Sequence, residues 1–199
     1  PEQLWLRYVQ ARQRLDVYKW DKLRPIYGLW DDHDYGVNNG GKANPYKAES
    51  AEIFRKFFPQ RRLFGREDFL VSGPGISYKL RLRSQNFYFL DGRSFRDQAD
   101  TETRKGGRHL GKRQTQWLYQ HLTDDKKFSW LIMGDQFFGA HHPFESFEGQ
   151  HPKSFARFLK GLKKRRETPV IFVSGDRHFS EIMKVPEKLT GRTTYQFTS

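Results

Sequence analysis

The sequence predicts an α/β fold, on three observations. Apolar runs at 26–30, 129–133 and 169–173 have the length of buried strands, and each leads into a loop containing aspartate. The segments between them are amphipathic helices or paired strands. ISYKLRL (76–82) alternates apolar and polar residues with the period of a half-buried strand. In such sheets ligands bind beyond the carboxyl ends of the strands. The acidic loops are therefore expected to converge, although about 100 residues separate the first from the others.

In chain order, residues 3–19 place Leu4, Tyr8 and Leu15 near one helical face. IYGLW (26–30) reads as a buried strand stopping at an acidic cluster. A helix is predicted over 44–58, ended by Pro59. ISYKLRLRS and NFYFLDGRSF follow as a pair of strands, the second apolar from Phe87 to Leu90 and so more central. LGKRQTQWLYQHL (110–122) is an amphipathic helix, and SWLIMGD (129–135) is a buried strand. The helix over 153–166 has Phe155, Phe158, Leu159 and Leu162 on one face. PVIFVSGDRH (169–178) is the clearest strand. No internal repeat, low-complexity tract or linker divides the 199 residues, which suffice for one domain with a sizeable core. The start at Pro1, without Met, and the end at TTYQFTS, like a strand cut short, suggest a processed or cropped piece of something longer.

Aromatic residues make up 16% of the chain, which argues against disorder. No run approaches the roughly 18 apolar residues of a membrane-spanning helix. The absence of cysteine excludes disulfides, thiolate zinc sites and cysteine nucleophiles. It also suits an exported protein, secreted, periplasmic or at the cell surface, although no signal peptide is visible. The formal charge is +13, clustered only at KGLKKRR (160–166). A basic surface suits nucleic acid, an anionic lipid surface or a phosphorylated substrate, and equally plain solvation.

Four polar clusters carry the candidate chemistry. WDDHDYGVNN offers carboxylates and an imidazole, which suit Ca, Mn, Fe or Zn. The other reading is a tight turn whose Asp and Asn side chains bond their own backbone. In SGDRHFSE, Asp176 and His178 stand two apart at a strand exit, where side chains point the same way; here too the alternative is a polar turn. GDQFFGAHHPFESFEG carries Asp135, Gln136, His141, His142, Glu145 and Glu148, each of them explicable as solvated loop polarity. In LDGRSFRD, Arg93 and Arg96 could bind phosphate bidentately or pair structurally with Asp91 or Asp97. No Ser-His-Asp arrangement, phosphate-binding P-loop or dinucleotide fingerprint stands out.

In their order and spacing, WDDHDYGVNN, FLDGRSFRD, the LGKRQTQWL helix and SGDRHFSE resemble PhoD-type alkaline phosphatases of the calcineurin-like metallophosphoesterase superfamily, over roughly residues 25–182. The resemblance implies a layered αββα sandwich, two sheets face to face with helices outside, and metal-dependent hydrolysis of phosphate esters. Relatives act as phosphodiesterases. It implies a binuclear metal centre and a metal-activated hydroxide. Asp32, Asp176 and His178 would be metal ligands. His33 would sit over the phosphoryl group as charge stabiliser or proton donor, with Asp34 orienting it. Gln136, and more weakly Asp135, match the intervening ligand strand. Asn38, Asn39 and Arg93 are the substrate-binding candidates.

The superfamily's early acidic motif and bridging aspartate have no match upstream of WDDHD. The chain is therefore expected to be the C-terminal portion of one catalytic domain, without its N-terminal strands and with little activity alone. The competing expectation is a catalytically incomplete basic protein that binds nucleic acid or anionic lipid.

Overall fold

A computed structural model describes residues 2–22, 25–59, 69–98, 107–122, 128–139, 146–165 and 167–199. Helix α1 covers Glu2–Arg14, the single turn α2 Asp32–Tyr35, and α3 Lys47–Phe57. Strands β1 (Phe69–Ser72), β2 (Tyr78–Leu82) and β3 (Gln85–Phe89) precede α4 (Gly111–His121) and β4 (Ser129–Ile132). After these come α5 (Phe147–Gln150), α6 (Pro152–Lys163), β5 (Val170–Ser174), β6 (Glu181–Val185), α7 (Glu187–Thr190) and β7 (Thr194–Thr198).

The strands form one seven-stranded mixed sheet in the order β1-β2-β3-β4-β5-β7-β6. β3, β4, β5 and β7 run parallel, with β1 and β2 antiparallel at one side and β6 antiparallel at the other. The parallel core follows from the chain order, because parallel neighbours need crossovers and α4 and α6 supply them. β2 and β3 make the expected hairpin. Arg83 and Ser84 turn it with φ of 49° and 64°, the left-handed geometry that matches strand twist.

Tyr88, Leu131 and Phe172 point to one face, where Trp117 and Leu118 of α4 and Phe155, Phe158 and Leu162 of α6 close the main core. Tyr78, Leu80 and Phe89 lie on the other face under Tyr27 and Leu29. On β6 and β7 that face carries Ile182, Tyr195 and Phe197, at 70, 44 and 37% exposure. A second core joins α1 to α3, where Tyr8 stacks on Phe57 at 4.9 Å, with Trp30, Tyr35 and Phe54 beneath.

The layered α/β class holds, with one sheet among the described residues. IYGLW is not a strand. It has no ladder partner among the described residues and is held by side chains instead. The Tyr78 hydroxyl donates to the Gly28 carbonyl at 2.9 Å, and Trp30 Nε1 donates to Asp91 at 2.9 Å. An apolar run covering a sheet face has the composition of a strand without its hydrogen bonds. The helix expected over 3–19 ends at Arg14 and continues as a 3₁₀ turn over Asp16–Lys19. β1 and β6 were not anticipated.

Candidate active site

The acidic stretch after Trp30 folds into the single turn α2, capped from within. The Asp31 side chain accepts from the Asp34 amide, and Asp34 Oδ1 accepts from the Asp31 amide at 2.6 Å. Asp32 Oδ1 accepts the His33 amide at 2.8 Å, and its Oδ2 accepts the Asn39 amide at 2.9 Å. The parallel strands β4 and β5 bring a second contributor to the same place. Their exits are tied by a 2.7 Å bond from the Gly175 amide to the Gly134 carbonyl. Asp176 follows in left-handed backbone, φ 72°. Gly134 lets Asp31 approach, since a Cβ there would lie 2.8 Å from the Asp31 carboxyl carbon.

Asp31, Asp32 and Asp176 thus each present a carboxylate oxygen, all within 4.8 Å of one another. Burial pushes the Asp176 carboxyl up to about 7, reinforced by Asp31 and Asp135. Burial and the charge of Asp135 also raise Asp31, opposed by Arg93. Asp32 is buried too, but the amides of Asn39 and His33 and the Arg93 charge hold it below the usual carboxylate range. Burial and like charges thus leave Asp31 and Asp176 short of neutralising partners, while Asp32 is held ionised beside them. Three converging carboxylate oxygens fit a hard cation.

Behind this cluster stands a buried charged layer. Arg93 is 1% exposed, and its Nε donates to Asp31 at 2.6 Å. Arg96 pairs with the fully buried Asp135, whose other neighbour is His109 Nε2 at 3.1 Å. Burial drives the His109 imidazole down to about 3, so it is neutral, stacked on Phe147 at 4.4 Å. Asp135 is held well below the usual carboxylate range, because Arg96 and His109 outweigh the cost of its burial.

Asp32 and Asp176 converge. Asp31, not anticipated as a ligand, joins them. His178 is exposed, in left-handed backbone with φ 54°, and lies outside the group of three. His33 is exposed beside Asp32. Asp34 bonds the Asp31 amide and lies 3.5 Å from the Tyr8 hydroxyl, so its carboxylate is engaged away from His33. The Arg93 side chain pairs with Asp31 rather than with Asp91 or Asp97, and it is buried beside the cluster. Arg96 likewise takes Asp135. Gln136 is buried and donates to Thr198 at 3.1 Å, as part of the packing of β7. Asn39 shapes the loop through its amide and φ of 56°, and Asn38 lines an adjoining cavity. His141, His142 and Glu145 lie outside the described residues. His109 gave no signal in sequence, since it stands alone ahead of α4.

A family model described as PhoD-like phosphatase matches residues 4–198. The chain belongs to that family. A solved structure of PhoD resembles this PhoD-like chain with a TM-score of 0.59 and 19% identity. The match covers 86% of this chain and 38% of the other, so the chain spans well under half the length of that relative. At such identity the likeness speaks for the fold. Comparison with curated proteins gives no match. The family implies metal ions, and the cluster of Asp31, Asp32 and Asp176 has the donor chemistry for them.

Proposed function

We propose that this PhoD-like chain serves in hydrolysis of phosphate esters at the acidic cluster. The convergence of Asp31, Asp32 and Asp176 from loops far apart in sequence carries the reading, together with family membership. A divalent or trivalent cation (Ca, Fe, Mn or Zn) would be held by these three carboxylates, with His178 two residues beyond Asp176 available to complete the set. When bound, it supplies positive charge against the phosphoryl oxygens and lowers the pKa of water.

The chain's own groups do the rest. His33 is exposed and its ring makes no hydrogen bond among the described residues, so it is free to give a proton to the leaving oxygen. Its position is set through the backbone, since its amide is bonded to Asp32. Arg93 holds Asp31 in place from the buried side. Asn39 does the same for Asp32 through its amide.

The test is hydrolysis of an aryl phosphate monoester and diester by the native protein at its full natural length, with and without added cations. Asp32→Asn is expected to lose both bound metal and turnover. Turnover unaffected by Asp32→Asn or by chelation would overturn the reading. Salt-sensitive binding of nucleic acid or anionic lipid without turnover would replace it with a binding role.

A further inference from the structure

A cavity of about 550 Å³ opens beside the acidic cluster, between the loop from Val37 to Tyr46 and the segment from Arg96 to Gln98. Its volume is that of a small-molecule pocket. One wall is shared with the site, because Asn39 lines the cavity while its amide holds Asp32 at 2.9 Å. A phosphate ester centred on the cluster would therefore have room for its organic part on this side.

The lining decides what that part can be. Its cations are already neutralised: Lys42 pairs with Asp97, and the Arg96 guanidinium turns inward to Asp135. Among the described residues that line it, the cavity has no spare cation to cradle a second phosphate. The Tyr46 ring is 59% exposed and makes no ring contact or side-chain hydrogen bond with any described residue. The exposed side chains of Asn38 and Gln98 likewise make no hydrogen bond among the described residues. An exposed aromatic face with free amides nearby matches a flat, uncharged group that carries donors and acceptors at its edge.

We propose that this cavity holds the alcohol portion of the ester and favours an uncharged, flat, hydrogen-bonding group of nucleoside type stacked on Tyr46. The proposal rests on the phosphoesterase reading. Its test compares adenosine 5′-monophosphate with glycerol phosphate in the native full-length protein. Tyr46→Ala is expected to lower the preference for the nucleotide about tenfold, mainly through KM, within the range for a base stacked on an aromatic ring. Tyr46→Phe should keep the preference. Equal loss on both substrates, or no change in their ratio, overturns the proposal. Titration with adenosine alone reads the cavity without chemistry. Binding by the wild type that weakens in Tyr46→Ala supports the proposal, whereas no binding, or equal binding by both, sinks it. Absence of turnover on every ester would defeat the hydrolase reading separately, and the adenosine titration would still report on the cavity.

Discussion

Arg93 and Asp31, 62 residues apart in sequence, meet through a 2.6 Å bond from Nε to Oδ1, with the arginine 1% exposed. The pair joins the buried charged layer to the acidic cluster. Breaking such a pair from one side leaves an uncompensated charge, at a cost of about 3–5 kcal/mol for a fully buried case. Because Asp31 keeps partial exposure, Arg93→Gln is expected near the lower figure. Metal affinity should also fall about 10- to 100-fold, as when a ligand loses its supporting hydrogen bond. Chemical denaturation and metal titration read the two effects, and an unchanged metal affinity would refute the supporting role.

Asp176 gives a prediction with two signs. Burial and Asp31 raise its carboxyl to about 7, so its ionised form opposes folding above that pH when no cation is bound. Asp176→Asn should therefore raise the melting temperature of chelator-treated protein at pH 8. The same change should abolish the stabilisation that added cation gives the wild type, since a ligand that binds the folded state stabilises it by mass action. Melting curves with chelator and with cation test both. Identical cation-induced shifts in wild type and variant would remove Asp176 from the ligand set.

His33→Ala should mainly lower kcat. General acid–base groups contribute about 10²- to 10⁴-fold. Metal content should stay near wild type, because Asp32 rather than His33 faces the cluster. The checks are steady-state kinetics and metal analysis of one preparation. Loss of metal along with activity would reassign the histidine as a ligand.

His109 has a folded pKa pushed by burial from 6.5 down to about 3. A histidine buried neutral stabilises fully above its unfolded pKa, and that contribution drains away as pH falls from about 6.5 toward 3. Asp34 and Asp176, both raised to about 7, act with the opposite sign over part of that window. The difference between wild type and His109→Gln isolates the histidine. The stability gap should narrow as the pH is lowered from 7 to 4, and a constant gap would contradict the buried neutral imidazole.

Gly134→Ala should disturb the site more than the fold. A Cβ there would come within 2.8 Å of the Asp31 carboxyl group. Reduced metal affinity with a melting temperature close to wild type is the expected result. Wild-type affinity would mean that Asp31 can shift without consequence for binding.

The sequence by itself determined the local elements and the residue types at their ends. α3, α4 and α6 follow from spacing that repeats within each segment, and β4 and β5 from short apolar runs, so their presence needed no knowledge of neighbours. The order of the polar motifs pointed to the family that the match over 4–198 bears out. IYGLW shows the limit, because apolarity signals burial and only a neighbouring strand makes a strand of it. The site shows it again. Asp31, Asp32 and Asp34 are equivalent in sequence, yet the fold turns Asp31 and Asp32 toward Asp176 and uses Asp34 to cap the turn. Which carboxylates converge is decided by parallel pairing of β4 with β5, by the space left at Gly134 and by Arg93 arriving from the far end of β3. These are contacts between segments tens of residues apart. Local sequence specifies a side chain's chemistry, and only the packed chain specifies its neighbours.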